Sequence, residues 1–492
     1  MRLPPSLLAA GLGGVSVFGF APFELFPLPI LTLALLFRLW QQAEPGRAAW
    51  LGFCWGAGFF LAGVSWVYIS LHDMGGMAAP LAAVATLLFC AYLALFPALV
   101  GYLYRRAASA DNAPAPAGRH FWRDALLLAG LWTLAEWLRG WAFTGFPWLA
   151  LGYSQAPPSP LAGYAAVLGV FGVGFVAVLF AALLALDGRR RAGWGLIVLL
   201  LAAGAALRQM DWTQPTGAPL RVALLQGNVP QSIKWVPEYL SLSIDTYTRL
   251  ALDHPADLTV LPETAIPLFF DQIPRETLAA LGRHGNVLIG AAARHREGGY
   301  VNAAIALTPE GTQSYAKQHL VPFGEYAPPG FSWFFELVNI PMSDFSAGPP
   351  GQSPLAIAGQ RIAPNICYED LFGEEIIRAL PEATLLINLS NTAWFGDSLA
   401  QPQHLQIARL RALETGRMML RATNTGITAA IAPDGRVLAQ LPEFVTGALV
   451  VEAQGFTGLT PYAQWGNALA VLIAAAAVFP GFLHAYRRRR SR

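Results

Sequence analysis

One thiol lies in the polar part of this chain: Cys367, within Asn365-Ile366-Cys367-Tyr368-Glu369-Asp370. Cys54 and Cys90 lie inside long apolar runs, so Cys367 has no disulfide partner in its own region. Two polar stretches precede it. Leu261-Pro262-Glu263-Thr264-Ala265-Ile266-Pro267 puts an acid just after a strand-like run. The stretch from Tyr315 to Tyr326 carries Lys317, His319 and Glu325. A free thiol, with a pKa of about 8.5, is mostly protonated at neutral pH and needs help to become a nucleophile. Glu263 suits the general base, returning the proton later to a leaving group. Lys317 suits stabilisation of the thiolate and of a tetrahedral oxyanion, with the backbone N–H of Tyr368 as a second oxyanion donor. Lys317 is therefore expected to depress the thiol pKa. Glu325 and Glu369 are further acids able to orient Lys317 or relay protons.

Each residue also has an ordinary reading. A lone cysteine among strands is often a small buried hydrophobe. Glu263 also fits a helix start, and Lys317 a surface lysine. Three polar motifs that each follow a strand-like run favour catalysis, because strand ends are where α/β folds place their sites. The chain has no His-Glu-x-x-His motif and no Cys/His cluster, so no metal is expected. His319 and His404 read as structural.

Those motifs need a scaffold, and the composition says what kind. The chain has 492 residues, 55% of them hydrophobic and 13% charged, with a mean hydropathy of +0.44. Soluble domains carry about 25% charged residues. The net charge of +2 gives no reason to expect a nucleic-acid partner. Apolar runs cover 5–21, 25–40, 49–71, 78–104, 122–142, 162–186, 193–208 and 464–486, and a spanning helix needs about 20 such residues. The expectation is a polytopic α-helical membrane domain of about eight spans. Positive charge clusters at Arg38 and Arg47, at Arg105, Arg106 and Arg119, at Arg189 to Arg191, and at Arg487 to Arg490 with Arg492. Loops rich in Lys and Arg stay in the cytoplasm. Eight spans with both termini cytoplasmic put every basic cluster there, and leave the region before the last span outside. The loop at His72-Asp73-Met74-Gly75-Gly76 then faces outward with little positive charge. Glu136 and Arg139 share one face of the fifth run with Trp132; Arg139 is expected to snorkel with Glu136 as partner. Gly169, four residues after Ala165, reads as a helix-packing glycine.

Composition changes near Gln214-Pro215-Thr216-Gly217. The expected domains are a membrane domain over 1–215, an extracytoplasmic catalytic domain over 216–458, and a final span with a basic tail over 459–492. In the polar domain, strands are expected at 221–226, 258–261, 287–292, 302–307, 361–366, 385–389, 427–432 and 448–452. Hairpin turns are expected at 309–311 and 433–435, and a helix over 405–421.

The order Glu263, Lys317, Cys367 resembles the catalytic triad of the nitrilase superfamily. The forms Pro262-Glu263-Thr264-Ala265-Ile266-Pro267, Tyr315 to Tyr326 and Asn365 to Asp370, ahead of a final apolar run, are similar to its membrane-embedded branch, the apolipoprotein N-acyltransferases. The resemblance spans essentially the whole chain. It implies a nitrilase-like αββα sandwich and no cofactor or metal. It implies a two-step reaction in which the thiol takes the sn-1 acyl chain of a phospholipid, typically phosphatidylethanolamine, as a thioester. The α-amino group of an apolipoprotein's diacylglyceryl-cysteine then receives it. It further implies a bacterial inner-membrane enzyme, expected as a monomer, with its catalytic domain in the periplasm. Tyr368 and Glu369 match residues that follow the nucleophile. Trp235 resembles an aromatic lining the acyl pocket, Trp148 one near the lipid's access route, and Asn388 and Ser390 a wall of the site. The aromatic segments Phe269-Phe270 and 331–335 are candidates for interfacial loops. The readings kept beside this one are a membrane-anchored amidase, which would use water as acceptor, and a non-catalytic membrane scaffold, whose function would survive loss of Cys367.

Overall fold

In the polar domain, strand residues alternate strictly between two apolar environments, and that alternation builds the layers. The computed structural model describes residues 3–108, 121–187, 191–295, 298–328, 330 and 344–490. Among the described residues, twelve strands form two six-stranded sheets. One contains β1 (Thr213–Gln226), β2 (Leu258–Leu261), β3 (Asn286–Arg294), β4 (Tyr300–Thr308) and β5 (Gly311–Ala316), with β12 (Gly447–Gly458) beside β1. The other runs from β6 (Leu355–Ile357) through β7 (Gln360–Ile366), β8 (Leu385–Ser390), β9 (Met419–Thr423) and β10 (Ala429–Ile431) to β11 (Val437–Gln440). Strands β1, β2 and β3 are parallel, as are β7, β8 and β9, and the flanking strands are antiparallel.

Val222, Leu224, Leu258, Val260 and Leu288 of the first sheet pack on Ile362, Leu385, Ile387, Leu389 and Leu420 of the second. Their neighbours Ala223, Leu225, Val287 and Ile289 face the other way, onto Tyr247 and Ala251 of helix Leu240–Asp253 and Leu281 of helix Arg275–Leu281. Leu386 and Met419 likewise face Leu405, Ala408 and Ala412 of helix Ala400–Thr415. Side chains at period two therefore feed a central sheet–sheet core and two outer helix–sheet cores. The result is a helix–sheet–sheet–helix sandwich. The expected strands are all present. The helix expected to reach residue 421 stops at Thr415, because Gly416 takes a left-handed conformation (φ +63°) that caps it. Residues 419–423 form β9 instead. Strands β5, β6, β9 and β11 lay outside the expected set; β5, β6 and β11 are short strands at the sheet edges.

The chain folds as two compact units. One holds Trp66–Ala82 and Asp211–Gln464; the other holds Met1–Ser65, Ala83–Met210 and Trp465–Arg492. The segment beginning at Trp66, read from sequence as the end of a span and a bare loop, belongs to the sandwich unit. Ser70 Oγ donates to the Trp394 carbonyl at 2.8 Å, and Trp66 meets Phe395 edge to face at 4.7 Å.

The helical unit contains a helix in each of the eight apolar runs: Pro5–Ser16, Pro27–Gln41, Pro45–Val64, Ala79–Ala108, Phe121–Arg139, Ala165–Asp187, Arg191–Leu207 and Ala468–Arg490. Among the described residues three segments, Pro45–Val64, Ala79–Ala108 and Pro160–Leu186, are long and apolar enough to cross a membrane. The others are too short or carry too much charge. At 1.5 Å per residue, helix Pro5–Ser16 is about 18 Å long, against about 30 Å of hydrocarbon. Arg139 does not snorkel. It is buried, donating to the carbonyls of Phe146 at 2.6 Å and Trp148 at 2.7 Å, while Glu136 accepts from Trp132 Nε1 at 3.0 Å and the Leu151 N–H at 2.9 Å. Turns in the helical unit thus supply the partners that the membrane boundary was expected to supply. Gly169 does not continue a helix stripe either; its backbone (φ +66°, ψ −175°) breaks the helix there. Small residues do allow close approach elsewhere. A Cβ on Gly13 would lie 1.9 Å from the Trp55 carbonyl oxygen, and one on Gly58 would lie 2.0 Å from that of Ala10.

Candidate active site

The carboxyl ends of parallel strands β2, β7 and β8, and of the antiparallel edge strand β5, carry the polar motifs. Glu263 follows β2, Cys367 follows β7, Asn388 and Ser390 end β8, and Lys317 follows β5. Glu263 is held on all sides. Its Oε1 accepts from Asn302 Nδ2 at 2.7 Å and Lys317 Nζ at 3.4 Å, and its Oε2 accepts from the Asn391 N–H at 2.9 Å. Glu325 shares the same two donors: Asn302 Nδ2 reaches its Oε1 at 2.8 Å and Lys317 Nζ at 2.9 Å. Its Oε2 accepts from the Val321 N–H at 2.8 Å. The Lys317 backbone is clamped by the Asn302 carbonyl at 2.8 Å and the Gly348 N–H at 2.7 Å. All four side chains are buried.

Cys367 sits at a sharp corner with φ +52°, in the left-handed region that a side chain disfavours by about 1–2 kcal/mol. Such a corner turns the side chain off the end of the strand. Support comes from beneath. Asn388 Nδ2 donates to the Cys367 carbonyl at 3.2 Å and to Asn365 Oδ1 at 2.7 Å, and Ser390 Oγ donates to Asn388 Oδ1 at 2.6 Å. Asn388 and Ser390, expected to form a wall of the site, are fully buried and hold the corner through these bonds. Glu369 accepts from the Ile366 N–H at 2.6 Å, the Gln318 N–H at 2.7 Å, the His319 N–H at 3.2 Å and the Tyr315 hydroxyl at 2.9 Å. It therefore ties the Lys317 loop to the cysteine corner. Tyr368 packs its ring against His319 and Phe372.

The electrostatics separate the groups. Burial works against charge on Glu263, but Lys317, Asn302, the Asn391 N–H and Lys234 together hold its pKa below the ordinary carboxylate value. Burial also opposes charge on Lys317, and Glu325, Glu263 and Cys367 outweigh it, raising its pKa. The Cys367 thiol is pushed well above its ordinary value, by burial first and then by Glu263, against the pull of Lys317. Lys317 pulls the thiol pKa down, as expected, but burial and the carboxyls of Glu263, Glu325 and Asp370 outweigh it. An ionised carboxylate, an ammonium and a protonated thiol stand together. This set suits base-assisted attack better than attack by a preformed thiolate.

Several participants escaped the sequence reading. Asn302, on β4, carries no local motif. Asn391 lies in the run 388–395 but acts through its backbone N–H. Asp370 forms a buried network with His404 Nε2 at 2.7 Å and Arg421 at 2.8 Å, directly below the cysteine corner. Lys234 was passed over for its neighbour Trp235, which is half-buried. Trp148 lies buried in the helical unit, stacked on Phe146. Phe269 packs edge to face on Tyr300 with Arg294 over its ring. Residues 331–335 lie outside the described residues.

Comparison with known proteins gives the same two parts. Residues 12–183 match the family described as the apolipoprotein N-acyltransferase N-terminal domain. Residues 221–462 match the carbon-nitrogen hydrolase family. The chain is 50% identical to an apolipoprotein N-acyltransferase of Nitrosomonas europaea, covering 98% of each chain. It is 48% identical to one of Ralstonia nicotianae, over 96% of this chain and 92% of that one. It is 46% identical to one of Chromobacterium violaceum, over 99% and 96%. Similarity at that level over nearly the full length, on a chain that joins apolar helices to a nitrilase-like sandwich, places this protein in the apolipoprotein N-acyltransferase family of the nitrilase superfamily.

Proposed function

We propose that this chain is an acyltransferase that moves the sn-1 acyl chain of a phospholipid, typically phosphatidylethanolamine, to the α-amino group of an apolipoprotein's diacylglyceryl-cysteine. The observation that carries the reading is the buried, protonated Cys367 thiol beside an ionised Glu263 and Lys317. Glu263 takes the thiol proton as sulfur attacks the ester carbonyl. Lys317 stabilises the oxyanion of the tetrahedral intermediate. As the C–O bond breaks, Glu263 returns the proton to the departing lysophospholipid oxygen, leaving a thioester. The acceptor amine then attacks the thioester carbonyl and gives its proton to Glu263. Breakage of the C–S bond restores the thiol, which recovers that proton. Atoms and charge balance with no further reagent. Glu325 holds Lys317, and Glu369 and the backbone of Tyr368 shape the corner. Trp235 and Trp148 are proposed to line the lipid's path.

The rest of the assignment is of the same kind. About eight spans, a membrane domain over 1–215, a catalytic domain over 216–458 and a final span over 459–492 fit the helices found in every apolar run. The basic clusters support a cytoplasmic placement of both termini and a periplasmic catalytic domain in a bacterial inner membrane. The working unit is taken to be a monomer. The carbon-nitrogen hydrolase match keeps one rival, hydrolysis with water as acceptor. Incubation with phosphatidylethanolamine and a synthetic diacylated lipopeptide separates the two. Transfer predicts a lipopeptide heavier by one acyl chain. Release of free fatty acid with the lipopeptide unchanged would sink it.

A further inference from the structure

A second lysine stands beside the catalytic carboxylate. Lys234 lies in the short helix Gln231–Lys234 after β1 and is 1% exposed. Its Nζ has no hydrogen-bond partner among the described residues. Desolvating an ammonium without a partner is costly, so a buried one implies a compensating charge. The segment leading into it is pinned to the site at two points. Asn424, just after β9, donates from Nδ2 to the Val229 carbonyl at 2.8 Å and accepts from the Val229 N–H at 3.0 Å. Gln231 Oε1 accepts from Asn391 Nδ2 at 2.9 Å, and the Asn391 N–H itself holds Glu263 Oε2. The compensating charge is Glu263, whose field supports the lysine's proton against burial.

We propose that Lys234 is a positioning residue for the proton chemistry at Glu263: its buried ammonium holds that carboxylate in the ionised form which accepts a proton from Cys367 and later from the amine. The proposal rests on the reading of Glu263 as the general base. Lys317 and Glu325 face Glu263 from the loop after β5, Cys367 from the corner after β7, and Lys234 from the turn after β1. Asn302 and Asn391 add uncharged donors. Glu263 and Glu325 compete for the single ammonium of Lys317, as their shared hydrogen bonds show. Lys234 contributes a second cation without a hydrogen bond, and so without displacing any donor that orients the carboxylate. Burial brings Lys234 itself down to about 8, so it is charged at neutral pH.

The test is the pH profile of acyl-enzyme formation by the full chain in detergent, with phosphatidylethanolamine as donor and the Cys367 peptide quantified by mass spectrometry. Wild type, Lys234→Met, Lys234→Arg and Glu263→Gln are compared. The acidic limb of such a profile reports the essential base of the free enzyme. The proposal expects Lys234→Met to move that limb to higher pH and to lose about ten-fold in rate on it, a one-unit effect. Lys234→Arg is expected to restore the limb, and Glu263→Gln to abolish acylation. If Lys234→Met lowers the rate with the limb unmoved, Lys234 is only structural and the proposal fails, while the base reading stands. If Glu263→Gln keeps the wild-type profile, the base reading fails and takes the proposal with it. Infrared difference spectra give a readout independent of turnover. The protonated-carboxyl band of Glu263, assigned by its loss in the double variant with Glu263→Gln, should grow in at a pH about one unit higher in Lys234→Met than in wild type. An unmoved titration of that band in folded Lys234→Met overturns the proposal.

Discussion

Glu369 and Glu263 are both buried carboxyls, and the structure treats them oppositely. Burial pushes Glu369 up to about 7 from the ordinary 4.5, against four donors and Lys317. Between those two values the folded chain keeps a proton that the unfolded chain has released. Glu369 therefore favours the folded state below the window, and its contribution is lost as pH rises through it. Glu263, held below the ordinary value, works in the other sense: its contribution is present above the ordinary carboxylate range and is lost as pH falls through its depressed value. We expect Glu369→Gln to flatten the stability slope between pH 4.5 and 7. It also turns an amide NH₂ toward backbone N–H donors, so it should cost about 1–3 kcal/mol at neutral pH. Thermal unfolding across that pH range checks both. At this scale Glu263, Lys317 and Cys367 were legible as candidates because each sits in a distinctive motif. The thiol's raised pKa was not, because burial and the approach of Glu325 come from residues far away in sequence.

At the scale of elements, the site depends on how closely strands pass one another. Gly290 on β3 lies against the Glu263 backbone; a Cβ there would sit 2.6 Å from Glu263 Cα and 2.7 Å from the Pro262 carbonyl oxygen. Gly290→Ala should therefore shift Glu263 and slow acylation by about 100-fold, the usual consequence of misplacing a reacting group by about 1 Å. The check is the acylation rate measured beside thermal stability; an unchanged rate would show that β3 has slack. Beneath Cys367, Arg421 on β9 neutralises Asp370, with His404 between them. Burial lowers the pKa of His404, so Arg421 is the cation that matters there. Arg421→Met should destabilise the sandwich by about 3–5 kcal/mol, because it leaves the buried Asp370 carboxylate with only the His404 imidazole and no compensating cation. Calorimetry of the two proteins decides it. The strands were legible from runs of alternating or continuous apolar residues bounded by turns. The end of helix Ala400–Thr415 was misjudged because Arg417 to Arg421 keeps helix-compatible residues past Gly416, and only the left-handed glycine marks the stop.

At the scale of the molecule, the apolar runs gave the helices and their order, and their lengths did not give the spans. Runs of similar hydropathy end in helices from 12 to 30 residues long. Kinks such as that at Gly169, and turns such as those holding Arg139, depend on partners that no local pattern records. The segment from Trp66 was hidden for the same reason: its partners Trp394 and Phe395 lie more than 300 residues further along the chain. Sidedness is open to direct test. Arg436→Cys, on the exposed hairpin between β10 and β11, should react with a membrane-impermeant maleimide in spheroplasts. Arg47→Cys should react only after the membrane is opened. Reversed labelling would overturn the periplasmic assignment.

The central claim, that Cys367 carries the acyl group, is tested most directly by intact-protein mass spectrometry after incubation with phosphatidylethanolamine. The account predicts that wild type gains the mass of one acyl chain, that hydroxylamine removes it, and that Cys367→Ala gains nothing. An adduct of the same mass on Cys367→Ala, or none on a wild-type preparation that converts the lipopeptide, would contradict it.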